Sequence, residues 1–180
     1  MNNLFAKCIL YAYPNIDALC DQIDELVEKR ALSSMSDTTP ALVQCEKILS
    51  LTEQKDLLRY LKSVVKEVLD KFSESDIDLL DYKFFKRKPK SYYANVDVSS
   101  RAYFRRQIKL ISVFSEKIHK KGIDDAVFKR DYMNIDFFSE LYKRVCEYEI
   151  MSYKNKKKNQ AEKTKKIIDK NKSRVGKITA

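Results

Sequence analysis

The sequence predicts an all-α fold, a helical bundle with a basic C-terminal tail. Three observations carry that expectation. The 180 residues include only two glycines and three prolines, too few for the turns of a β-rich chain. Leu, Ile, Lys and Glu are abundant, and the last two suit exposed helix faces. Apolar residues recur three and four positions apart, and no stretch shows the alternation of a strand.

Residues 2–13 predict a short helix ending near Tyr13, because Pro14 disfavours helical geometry in its predecessor. A second helix starts at Pro14 or Asn15. It gathers Ile16, Leu19, Cys20, Ile23, Leu26 and Val27 on one face, with Asp17, Asp21, Asp24, Glu25 and Glu28 opposite. Residues 33–39 read as a loop, and Thr39-Pro40 as the cap and first turn of the next helix. Helix is then expected from Ala41 to Phe72, broken near Ser50, where Ser50 and Glu53 fit a capping box. Its stripe is Leu58, Leu61, Val64, Val65, Val68, Leu69 and Phe72. Ser73 to Asp76 reads as another cap, ahead of a helix over 74–86 with Ile77, Leu80, Phe84 and Phe85 inward.

Pro89 suits the first turn of a short helix over 89–95, and residues 96–98 a turn. A longer helix over 99–120 follows, capped by Asp97 or Ser99 and stopped by Gly122. Residues 123–134 carry no clear pattern. Residues 135–151 return to helix with Phe137, Phe138, Leu141, Val145 and Cys146 inward. The tail over 152–180 has no apolar stripe and predicts a disordered or extended-helical arm. Four segments result: an N-terminal helical part over 1–50, a central module over 51–121, a helical segment over 122–151 and the tail.

The net charge of +10 is unevenly spread. Residues 152–180 set ten Lys and one Arg against Glu162 and Asp169, a net of +9. Residues 83–121 set twelve basic side chains against Asp97 and Glu116, a net of +10. Residues 1–82 carry −6 and residues 122–151 carry −3. Two dense basic blocks inside a mildly acidic chain point to a polyanion, because counterion release follows local cation density.

Other classes fit poorly. No run of apolar residues is long enough to span a bilayer, and residues 1–13 lack the basic start of a signal peptide, so a cytoplasmic location is expected. Cys8, Cys20, Cys45 and Cys146 form no CxxC pair, and His119 is the sole histidine, so no metal or cofactor is expected. Cys20 and Cys45 fall on apolar helical faces and read as buried thiols. There is no Gly-rich phosphate loop and no nucleophile–base pair around His119, and the acids Asp76, Asp78 and Asp81 read as a solvated face. The chain does not read as an enzyme.

Within the helix over 99–120 the charge is sided. On a wheel with Arg101 at the origin, Arg105 lies at about 40° and Lys109 at about 80°. Tyr103, Leu110, Ile111, Phe114 and Ile118 cluster between about 180° and 280°. Arg106 lies between the zones, and Phe104 and Ile108 on the far flank. One side can anchor while the other offers cations, the division that DNA-reading helices need.

The stretches LLDYKFFKR and YYANVDVSSRAYFRRQIKLI resemble the fourth-region DNA-binding module of bacterial sigma-70 factors. They resemble still more the ArpU/RinA-type phage transcriptional regulators, whose sigma-like helix-turn-helix opens its recognition helix with Ser-x-x-(Thr/Ala)-Tyr-(Tyr/Phe)-Arg. Here that reads Ser99-Ser100-Arg101-Ala102-Tyr103-Phe104-Arg105. The resemblance spans residues 55–120. It implies that Ser100, Arg101, Arg105 and Arg106 face bases in the major groove, where the arginine fork matches guanine O6 and N7. It further implies phosphate contacts from Lys86, Arg87, Lys88, Lys90, Lys109 and the helix start at Ser99. Tyr92, Tyr93, Tyr103 and Phe104 are expected to pack.

The function expected is that of a sequence-specific transcription regulator bound to double-stranded DNA, with residues 1–50 available for a homodimer or for RNA polymerase. Two alternatives stand beside it. One is non-specific DNA or RNA binding driven by the tail, and the other a helical scaffold whose charges serve solubility.

Overall fold

A computed structural model describes the backbone of residues 3–33, 40–85 and 100–175, and their side chains except those of Ser100 and 156–175. Among these residues the chain is all-helical, with six α-helices joined by tight helical turns. They are α1 (Leu4–Ala12), α2 (Ile16–Ser33), α3 (Ala41–Leu69), α4 (Glu74–Leu80), α5 (Ser100–His119) and α6 (Asp136–Val175). The chain divides into two compact units, Met1–Tyr142 and Lys143–Ala180.

α1 is almost wholly apolar and buries Phe5, Ala6, Cys8, Ile9, Leu10 and Ala12. A helix apolar all round must sit inside, and α1 packs on α5 and on the segment after α4. Pro14 does not stop the chain. Its fixed φ is accommodated in a single 3₁₀ turn, Tyr13–Asn15, that leads directly into α2.

α2 and α3 form an antiparallel hairpin. Lys62 pairs with Asp17 and Lys55 with Asp24. Seven residues separate the partners on each helix, so the pairs lie about two turns apart and define one register. Ile16, Cys20 and Ile23 are buried along the seam, whereas Leu26, predicted inward, is 47% exposed. The expected break near Ser50 is absent. The helix runs unbroken through Ser50 and Glu53, so they cap nothing, and within it the Thr52 hydroxyl donates to the Ile48 carbonyl one turn back (3.0 Å). Pro40, not Thr39, occupies the N-cap position. Cys45, read as a buried thiol, is exposed like its neighbours Leu42 and Leu49, because that face of α3 has no helix over it among the described residues. Cys8 and Cys20 are buried as expected, and burial pushes the Cys20 thiol up.

The predicted helix over 74–86 divides. α4 ends at Leu80 and continues as a π-helical turn, Asp81–Phe85. The wider turn lets two consecutive rings face inward, Phe84 edge-on to Tyr11 (4.7 Å between centroids) and Phe85 against Tyr13 (5.3 Å). The short helix and turn predicted over 89–98, with Lys86, Arg87, Lys88, Lys90 and Ser99, lie outside the described residues.

α5 ends where Gly122 predicts. The Gly122 N–H donates to the His119 carbonyl (2.9 Å) and the Ile123 N–H to the Ile118 carbonyl (3.2 Å), with Ile118 and Ile123 both buried. That is a Schellman stop, and Gly122 holds the left-handed φ of 87° that it requires. A Cβ at Gly122 would meet nothing within 4 Å, so only backbone strain opposes substitution. Gly122→Ala is expected to lower stability by about 1 kcal/mol, and Gly122→Asn by less, in urea unfolding.

Residues 123–134 acquire structure from an aromatic cluster, not from periodicity. Asp124 caps a single turn through a bond from the Val127 N–H (2.8 Å). The π-helical turn that follows, Phe128–Tyr132, stacks Phe128 on Tyr132 (5.9 Å) beside Phe138. α6 then runs to Val175, so the tail is an extended helix over that length. Lys, Gln, Glu and Ala all favour helix without needing an apolar stripe.

Candidate nucleic-acid interface

α5 is held from behind. Phe114 and Ile118 are fully buried and Leu110 and Ile111 nearly so, against α1 and α3. Each such side chain contributes about 1.5–3 kcal/mol of burial. Tyr103 also turns inward, its ring edge-on to Tyr82 (6.2 Å). Burial, with Tyr82 adding to it, pushes the Tyr103 phenol up, and its hydroxyl has no hydrogen-bond partner among the described residues.

The opposite side of the helix faces solvent. Arg101, Arg105 and Lys109, one turn apart in succession, are exposed and make no ion pair among the described residues. The sequence expectation that these three share one open edge therefore has a geometric basis. Ser100 opens the helix.

Arg106 is different. Its Nε and a terminal nitrogen donate to one oxygen of Asp76 (3.1 and 2.7 Å), and the same nitrogen donates to the Ser75 hydroxyl. The guanidinium is thus spent inside the protein, tying α5 to the start of α4. Asp76 and Asp81 are not a solvated acidic face either, since Asp76 holds Arg106 and Asp81 is buried. The pair is partly open, so about 0.2–1 kcal/mol is a fair measure of its contribution. It adds a polar link from α5 to the start of α4 beside the apolar packing that anchors the helix. Sequence reading missed this link, for which the only signal was the acidic first turn of α4.

Desolvation raises the Asp76 carboxyl, but hydrogen bonds from Arg106 and Ser73 outweigh it and leave the group below its ordinary 3.8. Glu67, bonded by Lys121 and Lys71, also lies below its ordinary 4.5 and ties α3 to the end of α5. A depressed carboxylate stabilises the fold fully above its unfolded value, and that contribution is lost as pH falls through the folded value. Thermal melting should therefore drop on acidification from about pH 5 to about pH 3, and Asp76→Asn should flatten part of that drop.

A shallow groove of about 310 Å³ contains the Arg106–Asp76 pair and Ser73 together with Lys71, Lys109 and Lys117, with Phe72 and Val113 as its apolar wall. Lys117 stands over the Phe72 ring (5.8 Å). Lys109 and Lys117 extend the cationic surface along α5, whereas Lys71 is bonded to Glu67; the place of Lys117 was not legible from sequence. Phe104, expected to pack, is instead exposed, and so is Ile108 on the flank beside it. Phe104 is 58% and Ile108 67% accessible, on the same open side as the arginines.

No helix among the described residues is long and apolar enough to cross a membrane. Compared with known proteins, the chain matches no family model, no curated protein and no solved structure.

Proposed function

We propose that this protein is a sequence-specific regulator of transcription that binds double-stranded DNA and inserts the first half of α5 into the major groove. The observation that carries the reading is the open edge of Arg101, Arg105 and Lys109 on a helix whose other side is locked into the core. An anchored rod whose first arginines make no ion pair among the described residues suits groove readout. Arg101 and Arg105 face the bases on this reading, as the resemblance implies for Ser100, and Lys109 and Lys117 meet the phosphates. Arg106, already held by Asp76, ties the helix to α4 and does not read. The sigma-like motif from Ser99 to Arg105 is the ground for placing the binding in transcription.

Selection of bound duplexes from a random library tests this directly: a recurring motif is the expected result, and an unenriched pool would reject specific readout. A second reading, non-specific polyanion binding through the tail, rests on the net +9 of residues 152–180. Removing residues 152–180 separates the two. The groove reading requires the ratio of selected to scrambled binding to survive while the salt dependence weakens. The tail reading requires nearly all affinity to go.

A further inference from the structure

The open edge of α5 is not only basic. Phe104 and Ile108, one turn apart, interleave with Arg101, Arg105 and Lys109 and are 58% and 67% exposed. Single exposed apolar side chains are ordinary on protein surfaces. Here two arguments separate the pair from that background. The Phe104 ring is not loose: it packs edge-on to Tyr103 (5.6 Å, 79° between planes), which packs edge-on to Tyr82 (6.2 Å, 77°). The ring therefore has an aromatic neighbour on its inner side and is open on the other. The pair also borders the cations on the same exposed side, over an arc of about 140°, so whatever covers that side must offer negative charge and apolar groups next to each other.

We propose that Phe104 and Ile108 form the apolar half of the reading edge and contact the C5-methyl groups of thymines in the major groove, beside guanines met by Arg101 and Arg105. The inference rests on the duplex-binding reading above and names the class of site recognised: a major-groove step mixing guanine and thymine. B-form DNA meets both demands. Its major groove admits a helix, its rims are phosphate, and its floor shows guanine acceptors and thymine methyls. Duplex RNA fits badly, since its major groove is too narrow for side chains to read. An anionic membrane surface also fits badly. Interfacial helices insert a broad apolar face, whereas the broad face of α5 is already buried by Leu110, Ile111, Phe114 and Ile118. The exposed apolar strip stops after Ile108, because the next position along it is Ser112.

The test changes the DNA and leaves the protein intact. With a duplex carrying the motif selected by the full chain, deoxyuridine replaces thymine one position at a time, which removes the methyl and keeps every hydrogen bond. Loss of a buried methyl should weaken binding about three- to five-fold at one or two positions. Phe104→Ala or Ile108→Ala should bind the thymine and deoxyuridine duplexes alike at the matching position. Both side chains are exposed, so both variants should fold normally by circular dichroism. A selected motif in which no deoxyuridine matters would overturn this inference and leave the duplex reading standing. An unenriched pool, with binding instead to vesicles of phosphatidylserine and phosphatidylcholine, would overturn both.

Discussion

Replacing Arg101 and Arg105 together by alanine is expected to weaken binding to a selected duplex by about 100-fold or more, while binding to a scrambled duplex falls only a few-fold. One bidentate arginine–guanine pair supplies ~1–3 kcal/mol of discrimination, and two lie on the open edge one turn apart. Neighbours on one helix do not add strictly, so the double variant should depart from the sum of the singles. Arg105→Lys keeps the charge but not the fork, and should lose discrimination while retaining most non-specific affinity. Lys109→Ala should act oppositely, weakening all duplexes alike and lowering the salt slope by about one. Filter binding or anisotropy at two salt concentrations measures each. Because the three residues are exposed and unpaired among the described residues, stability should change by no more than about 0.5 kcal/mol. Equal losses on selected and scrambled DNA would show that these arginines hold phosphate and read nothing.

Which parts of this arrangement could be read from sequence follows from the range of the interactions involved. Helices α2 and α3, the inward face of α5 and the stop at Gly122 rest on local periodicity and cap chemistry, and all were legible. The internal divisions were less so. A capping box at Ser50 fits a helix start, but the continuous hairpin with α2 keeps that stretch helical and leaves Thr52 bonded backwards to Ile48. The π-helical turns at Asp81–Phe85 and Phe128–Tyr132 follow from rings that meet partners distant in the chain, such as Phe84 with Tyr11 and Phe128 with Phe5. No spacing rule carries that information.

The candidate site shows the same split. Arg101, Arg105 and Lys109 share an edge by helical geometry alone. The fate of Arg106 depended on Asp76, thirty residues earlier in the chain, and could not be seen on a wheel. Phe104 and Ile108 were the opposite case. The wheel places Ile108 about 20° from Arg101, squarely on the open side. Phe104 was expected to pack because large aromatic rings usually turn inward, whereas Ile108 was placed only on the flank.

Phe104 and Phe128 make the contrast between reading edge and core measurable. Phe128 is fully buried. Its ring meets Phe5 (6.4 Å), Tyr132 (5.9 Å), Phe138 (5.7 Å) and Tyr142 (6.4 Å). Phe128→Ala should lower stability by about 3–5 kcal/mol, from lost burial plus the cavity left among rings that cannot all move inward. Against the ~5–15 kcal/mol typical of whole domains, that is a large fraction, and the urea midpoint should fall steeply. Phe128→Leu keeps most of the volume and should cost well under half as much. Phe104→Ala, the same deletion at a 58% exposed site, should leave the midpoint within about 0.5 kcal/mol of the parent. The two alanine variants should then part again in DNA binding. Phe128→Ala should bind the selected duplex normally where it remains folded, since the ring touches nothing on the open edge of α5. Phe104→Ala should bind less well at full stability. If both variants lost stability equally, Phe104 would be a core residue and no part of any reading surface.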